Sequence, residues 1–132
     1  MARRRPARAG RALPLARLGA ICLALPDAVR LEHGSHASFR VRNKVFAYYL
    51  DDHHGDGIAS VCCKTSGGEH QDWVARDPAR YYLPAYIGAR GWVGLRLDVR
   101  PVNWREVEAL VRDSYRLTAP KRLLALLLDA AP

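Results

Sequence analysis

The sequence holds no CxxC pair, no glycine-rich nucleotide loop and no unbroken apolar run of membrane length, and each absence removes a class of function. Three cysteines occur, Cys22, Cys62 and Cys63; an odd number without a paired spacing supports neither a disulfide framework nor a zinc knuckle. Ser66-Gly67-Gly68 lacks the G-x-S-x-G elbow, and neither a Walker loop nor a dinucleotide fingerprint is present, so no cofactor and no activated serine is expected. The apolar stretch from Leu13 to Leu25 is interrupted by Pro14, Arg17 and Gly19 and closed by Pro26. That is poor for a signal-peptide core and far short of the roughly 20 apolar residues that span a bilayer, so no membrane partner is expected and the cytoplasm is the expected compartment.

What is present fits one globular domain. The 132 residues are 49% hydrophobic and 26% charged, an ordinary globular balance, and too few for two domains of common size. The net charge of +8 invites a nucleic-acid partner. Its distribution is uneven: Arg3, Arg4, Arg5, Arg8 and Arg11 lie in the first twelve residues with no acid, leaving 16 basic against 13 acidic residues in the remainder. Residues 1–12 are therefore expected to be a basic, disordered arm able to hold a polyanion without specificity, and residues 13–132 a mildly basic body. A reading frame opened too far upstream gives the same pattern.

Periodicity divides the body. Leu15, Leu18, Cys22 and Leu25 fall on one face of a helix over 13–25, which Pro26 ends. Residues 28–36 look like a connecting segment of partly extended character with a turn at Gly34. From Ser38 the period changes to two, with Phe39 and Val41 alternating with Arg40 and Arg42, and Asn43-Lys44 placed to turn the chain into a partner strand over 45–50. A third strand follows near 58–64. Ser66 and Glu69 have capping-box spacing for a short helix to Arg76. A second hairpin is expected from strands over 81–86 and 92–98, with Pro84 favouring an edge position or a bulge. Asn103 and Glu106 mark the start of the last long helix, whose stripe is Trp104, Val107, Leu110, Val111 and Tyr115. Pro120 opens a leucine-rich terminal helix.

Three blocks carry a resemblance: Ser38-Phe39-Arg40-Val41 with Lys44-Val45-Phe46-Ala47, Gly91-Trp92-Val93 with Leu95-Arg96-Leu97, and Ala119-Pro120-Lys121-Arg122-Leu123, together with Leu25-Pro26 and Asp77-Pro78. The chain resembles the MmcQ/YjbR family of small bacterial proteins over about residues 18–126. Two positions depart from the usual pattern, Asp27 for the glycine after Leu-Pro and Ala37 for the proline before Ser-Phe, both in turn geometry. The resemblance implies an α+β fold of two layers, helices packed on an antiparallel five-stranded sheet in the order α-β-β-β-α-β-β-α plus a terminal helix. It also implies a DNA-binding role, since the family is often labelled so from a supposed double-wing shape.

The candidate nucleic-acid contacts are Arg40, Arg42 and Lys44 on the first hairpin, Arg90, Trp92 and Arg96 on the second, and Lys121 and Arg122 at the head of the terminal helix. Tyr82, Tyr86 and Trp92 would stack on unpaired bases if exposed; the competing reading makes the aromatics core and the cations a solvated sheet face. With no recognition-helix signature, binding is expected to be weak, salt-sensitive and phosphate-directed.

The loop from Asp51 to Gly57 partly mimics a calcium loop through Asp52, His54 and Asp56, yet Cys63 stands at the twelfth position where glutamate is required, so no metal is expected. Cys62 and Cys63 must face opposite sides of a strand. His33 and His36 beside Glu32 form a small polar group that reads as structural rather than acid–base. No catalytic residue is assigned. The expected function is non-catalytic DNA binding through basic hairpins. The alternative is a protein- or peptide-binding adaptor, because the two-layer fold resembles secretion chaperones and Leu123, Leu124, Leu126, Leu127 and Leu128 surround the terminal helix, favouring a homodimer there.

Overall fold

The computed structural model describes residues 4–130, with side chains described for 13–127. Helix α1 spans Arg4–Leu23, β1 Val29–His33, β2 His36–Val41, β3 Lys44–Asp51 and β4 Ala59–Lys64. Then come α2 over Glu69–Arg76, β5 over Tyr81–Tyr82, β6 over Trp92–Arg96, α3 over Trp104–Thr118 and α4 over Lys121–Ala130. The strands form one antiparallel sheet in the order β1-β2-β3-β4-β6-β5. The helical backbone of α1 begins inside the segment expected to be a disordered arm; residues 1–3 lie outside the described residues, as do the arm's side chains up to Ala12.

The sheet has six strands rather than the five expected. Residues 29–33, read as a connection, form β1, which pairs with β2 from Val29↔Arg40 to His33↔His36. The reason is a turn: Gly34 has φ 62° and Ser35 has no positive φ, the pattern of a two-residue type II′ hairpin. In the next hairpin the turn is Arg42-Asn43, with φ 50° and 67°, one residue earlier than expected, and Val41 pairs with Lys44 across it.

The second hairpin is shorter on its first side. Only Tyr81 and Tyr82 pair with β6; Pro84 has no amide proton to give, Tyr86 takes φ 67°, and a 3₁₀ turn over Ile87–Arg90 follows. The capping box at Ser66 does not form. Gly67 and Gly68 both have positive φ, Gly68 becomes the N-cap, and the Ser66 carbonyl rather than its hydroxyl meets the Glu69 amide at 3.1 Å.

The helices cover one face of the sheet. Leu18, Cys22 and Leu25 from the N-terminal region, Val107, Leu110, Val111 and Tyr115 from α3, and Leu123 and Leu127 from α4 bury against Phe39, Val41, Ala47, Val61, Val93 and Leu95. The stripe expected for α3 is the one buried, apart from a half-buried Trp104 capped by the Arg17 guanidinium at 4.7 Å from the ring centre. Asn103 accepts the Glu106 amide as its cap at 3.2 Å, while the Glu106 carboxylate, instead of reaching back to the cap amide, takes the Tyr81 hydroxyl. On α4, Leu123 and Leu127 are buried and Leu124 half-buried, so the described leucines leave Leu126 outward; Leu128 lies outside the described side chains.

A β-bulge shapes this core. Register passes from Phe39↔Ala47 to Arg40↔Val45, so Phe46 is the extra residue. The bulge lets two consecutive side chains, Phe46 and Ala47, both bury on the helical side, and the Phe46 ring meets Tyr115 edge-on at 5.3 Å. The fully buried Ser114 of α3 donates its hydroxyl to the Phe46 carbonyl at 2.5 Å and accepts the Lys64 amide at 2.9 Å.

Candidate functional site

The face opposite the helices carries the side chains with chemistry. Ser38 and Arg40 come from β2, Tyr48 and Leu50 from β3, Ser60, Cys62 and Lys64 from β4, Trp92 and Arg96 from β6, and Tyr82 from β5. Leu50, Cys62 and Trp92 form a second small buried cluster, with Val45, Tyr48, Tyr82 and Ile87 packed around it. Gly94 makes it possible: a Cβ there would sit 2.4 Å from the Tyr82 ring, so the ring lies flat over bare backbone. The Tyr82 hydroxyl reaches Ser60 Oγ at 2.6 Å and lies 3.8 Å from Cys62 Sγ.

This network is closed rather than reactive. Burial pushes the Cys62 thiol up to about 11, against the smaller opposing pull of its Ser60 and Tyr82 hydrogen bonds, and burial also raises Tyr82. Cys63, on the helical side, is raised well above the usual thiol range by burial, so both cysteines stay protonated at neutral pH.

The eight proposed contacts do not form one surface. Trp92 is 8% exposed and tilts against Tyr48 at 5.4 Å, which withdraws it from any base. Arg96 forks onto Asp98 at 2.9 and 3.1 Å, raising the guanidinium's pKa. Burial alone would raise Asp98, but the Arg96 and Ala59 hydrogen bonds outweigh it and its pKa falls. Arg40 is half-buried with Nε 3.3 Å from Ser38 Oγ, and Arg42 pairs with Asp27 at 3.1 Å. Lys44, Arg90, Lys121 and Arg122 are exposed. Of the aromatics proposed to stack, Tyr82 is half-buried and Tyr86 is 79% exposed.

Strand register nonetheless brings several cations to one end of the sheet. Arg42 lies in the β2–β3 turn and Lys44 follows it, and half-buried Lys64 closes β4 opposite Trp92. Thr65 takes the Gly91 carbonyl with its amide and hydroxyl, both at 2.8 Å, which sets Arg90 beside them. Ser114, bonded to Phe46 and Lys64, brings the C-terminal turn of α3 to this same end, while Lys121 and Arg122 stand exposed at the start of α4. Sequence reasoning missed Lys64, because its role depends on which strand end meets which turn. Asp51, Asp52, Asp56 and Asp98 lie at the opposite end.

That opposite end is where the histidines gather. His36 Nδ1 accepts the Asp51 amide at 3.0 Å, the His36 and His53 rings meet edge-on at 5.4 Å, and His53 and His54 lie 4.1 Å apart. Asp52 and Asp56, read as possible calcium ligands, instead accept the Gly57 and Ile58 amides at 2.7 and 2.9 Å. Among the described residues no group of three or more metal-type side chains converges.

Burial and the neighbouring His54 and His36 lower the pKa of His53, with Asp56 opposing. A group whose folded pKa is depressed contributes stability above its unfolded pKa, about 6.5, and loses it as pH falls through the folded value. The melting temperature is therefore expected to fall from pH 7 toward pH 5, and to fall less in His53→Gln; equal acid slopes for the two proteins in a differential-scanning titration would refute this.

A one-sided helical cover on an antiparallel sheet, with closed polar chemistry on the other face, defines a small two-layer α+β domain. The chain belongs to the YjbR family, whose model matches residues 23–117. A solved structure, that of Deinococcus radiodurans protein DR2400 with a DUF419 family domain, is similar at TM-score 0.62 and 20% identity, covering 76% of this chain and 74% of that one. At that identity the likeness speaks for the fold. No curated protein matches the sequence closely enough to be counted as a relative.

Proposed function

We propose that the protein is a non-catalytic nucleic-acid-binding domain that contacts phosphates through one end of its sheet rather than through two hairpin wings. The observation that carries this reading is that exposed Lys44 and Arg90 and half-buried Lys64 lie at the same end of the sheet as the β2–β3 turn. Phosphate contacts need mobile cations in water, and exposed lysines and arginines at strand ends and helix starts meet that need. Arg96 fits this reading poorly, since Asp98 already neutralises it.

Double-stranded DNA titrated by fluorescence anisotropy at two salt concentrations tests the proposal. Lys44→Glu/Arg90→Glu is expected to weaken low-salt binding by about tenfold or more, and each lost phosphate contact to flatten the logarithmic salt slope by roughly 0.9. Unchanged affinity in the double variant would sink the reading.

A further inference from the structure

The first strand is an edge with a self-complementary sequence. Among the described residues β1 pairs with β2 alone, and its register shows no bulge. In a two-residue hairpin the closing pair, His33↔His36, is hydrogen-bonded, and bonded pairs alternate along the ladder. Val29, Leu31 and His33 thus spend their amides and carbonyls on β2, while those of Arg30 and Glu32 point away from the sheet.

An antiparallel copy of this strand centred on Leu31 sets Arg30 opposite Glu32 of the second chain and Glu32 opposite its Arg30. These are the residues whose backbone groups face outward, so charge pairing and ladder bonding fall on the same pairs. Leu31 meets its own counterpart at the centre, and Val29 meets His33. On the face away from the helices Val29 is 52% and Leu31 44% exposed, apolar side chains that such a pairing covers. The strand contains neither proline nor lysine, the residues that commonly blunt an edge.

We infer that β1 is a homodimerisation edge, joining two copies about a two-fold axis through Leu31 into a continuous twelve-stranded sheet. Within one chain Arg30 and Glu32 already pair at 3.0 Å, so dimerisation exchanges two intrachain ion pairs, one from each copy, for two between chains, and the gain lies in the ladder bonds and the covered apolar side chains. The surface differs from the leucine-rich terminal helix expected from sequence and is independent of the phosphate-binding reading.

Sedimentation equilibrium of the full chain tests it. The wild type is expected to dimerise reversibly. Glu32→Arg, which sets four arginines across the axis, is expected to weaken the dimer by about tenfold, and Arg30→Glu/Glu32→Arg to restore it by rebuilding the complementarity with reversed signs. Leu31→Cys is expected to cross-link on oxidation, against a silent wild-type background because Cys22, Cys62 and Cys63 are buried. A wild type that stays monomeric at hundred-micromolar concentration overturns the inference. So does a dimer that Glu32→Arg leaves intact, since the contact then lies on another surface or follows from peptide-like capture at the edge.

Discussion

Ser114→Ala is expected to lower the unfolding free energy by about 2–3 kcal/mol, because it strips a partner from two backbone groups at once. The hydroxyl satisfies the Phe46 carbonyl and the Lys64 amide, and its site is closed to solvent. Alanine fits the space but leaves a bulge carbonyl facing a methyl group. Urea denaturation should show a reduced midpoint with an unchanged m-value. Thr118→Ala provides the contrast. Its hydroxyl bonds the Ser114 carbonyl one helical turn back at 2.8 Å, a group the helix already serves, so its loss should cost below about 0.5 kcal/mol. Equal costs for the two would show that the Ser114 hydroxyl does not hold α3 to the bulge.

Gly94→Ala should be of similar size through a different mechanism. The added Cβ falls 2.4, 2.7 and 2.9 Å from three ring atoms of Tyr82, and the ring cannot slide easily while its hydroxyl holds Ser60 at 2.6 Å. Overpacking of this kind costs about 3 kcal/mol when the neighbour is anchored. The diagnostic is coupling: in a Tyr82→Ala background the same substitution should cost less than about 1 kcal/mol. Cys62 offers a second readout, because lifting Tyr82 uncovers its thiol; faster labelling of Cys62 in Gly94→Ala is expected, and an unchanged rate would mean the ring had not moved.

Much of the fold is legible in the sequence where local signals agree. For α3, the cap at Asn103, the apolar stripe and the stop before Pro120 all point to one helix, and the helix observed has those bounds. The first strand was hidden by an inversion: Val29 and Leu31 face outward and Arg30 and Glu32 face the helical side, so the segment reads as a polar connection. Its existence follows from the type II′ turn at Gly34, a backbone fact rather than a side-chain pattern. Arg42 in a left-handed conformation likewise moved a turn by one residue, since glycine or asparagine is the usual sign of such a site. Pro84 and Tyr86 cut the fifth strand to two residues because one lacks a donor and the other leaves the extended region.

The site was less legible than the fold. Spacing named Arg40, Arg42 and Arg96 as cations but not their neighbours, and Asp27, Ser38 and Asp98 occupy them. Two of these partners lie only two residues away, within reach of a strand's side-chain period, so that much could have been foreseen. Asp27 stands fifteen residues from Arg42 and could not. Lys64 belongs with Arg90 only because β4 and β6 are neighbours, which the chain order β4-β5-β6 conceals.

The hydroxyl that joins α3 to the bulge spans 68 residues to Phe46 and 50 to Lys64. During synthesis the first four strands leave the ribosome well before Ser114 does. They can form a meander with α1 against it, but the Phe46 carbonyl still lacks the Ser114 hydroxyl and the rest of the apolar face has no α3 to cover it. With only α1 on that face, the part of the nascent sheet that α3 covers stays open until Ser114 has emerged, and it is in that interval that the protein most needs dilution or a chaperone.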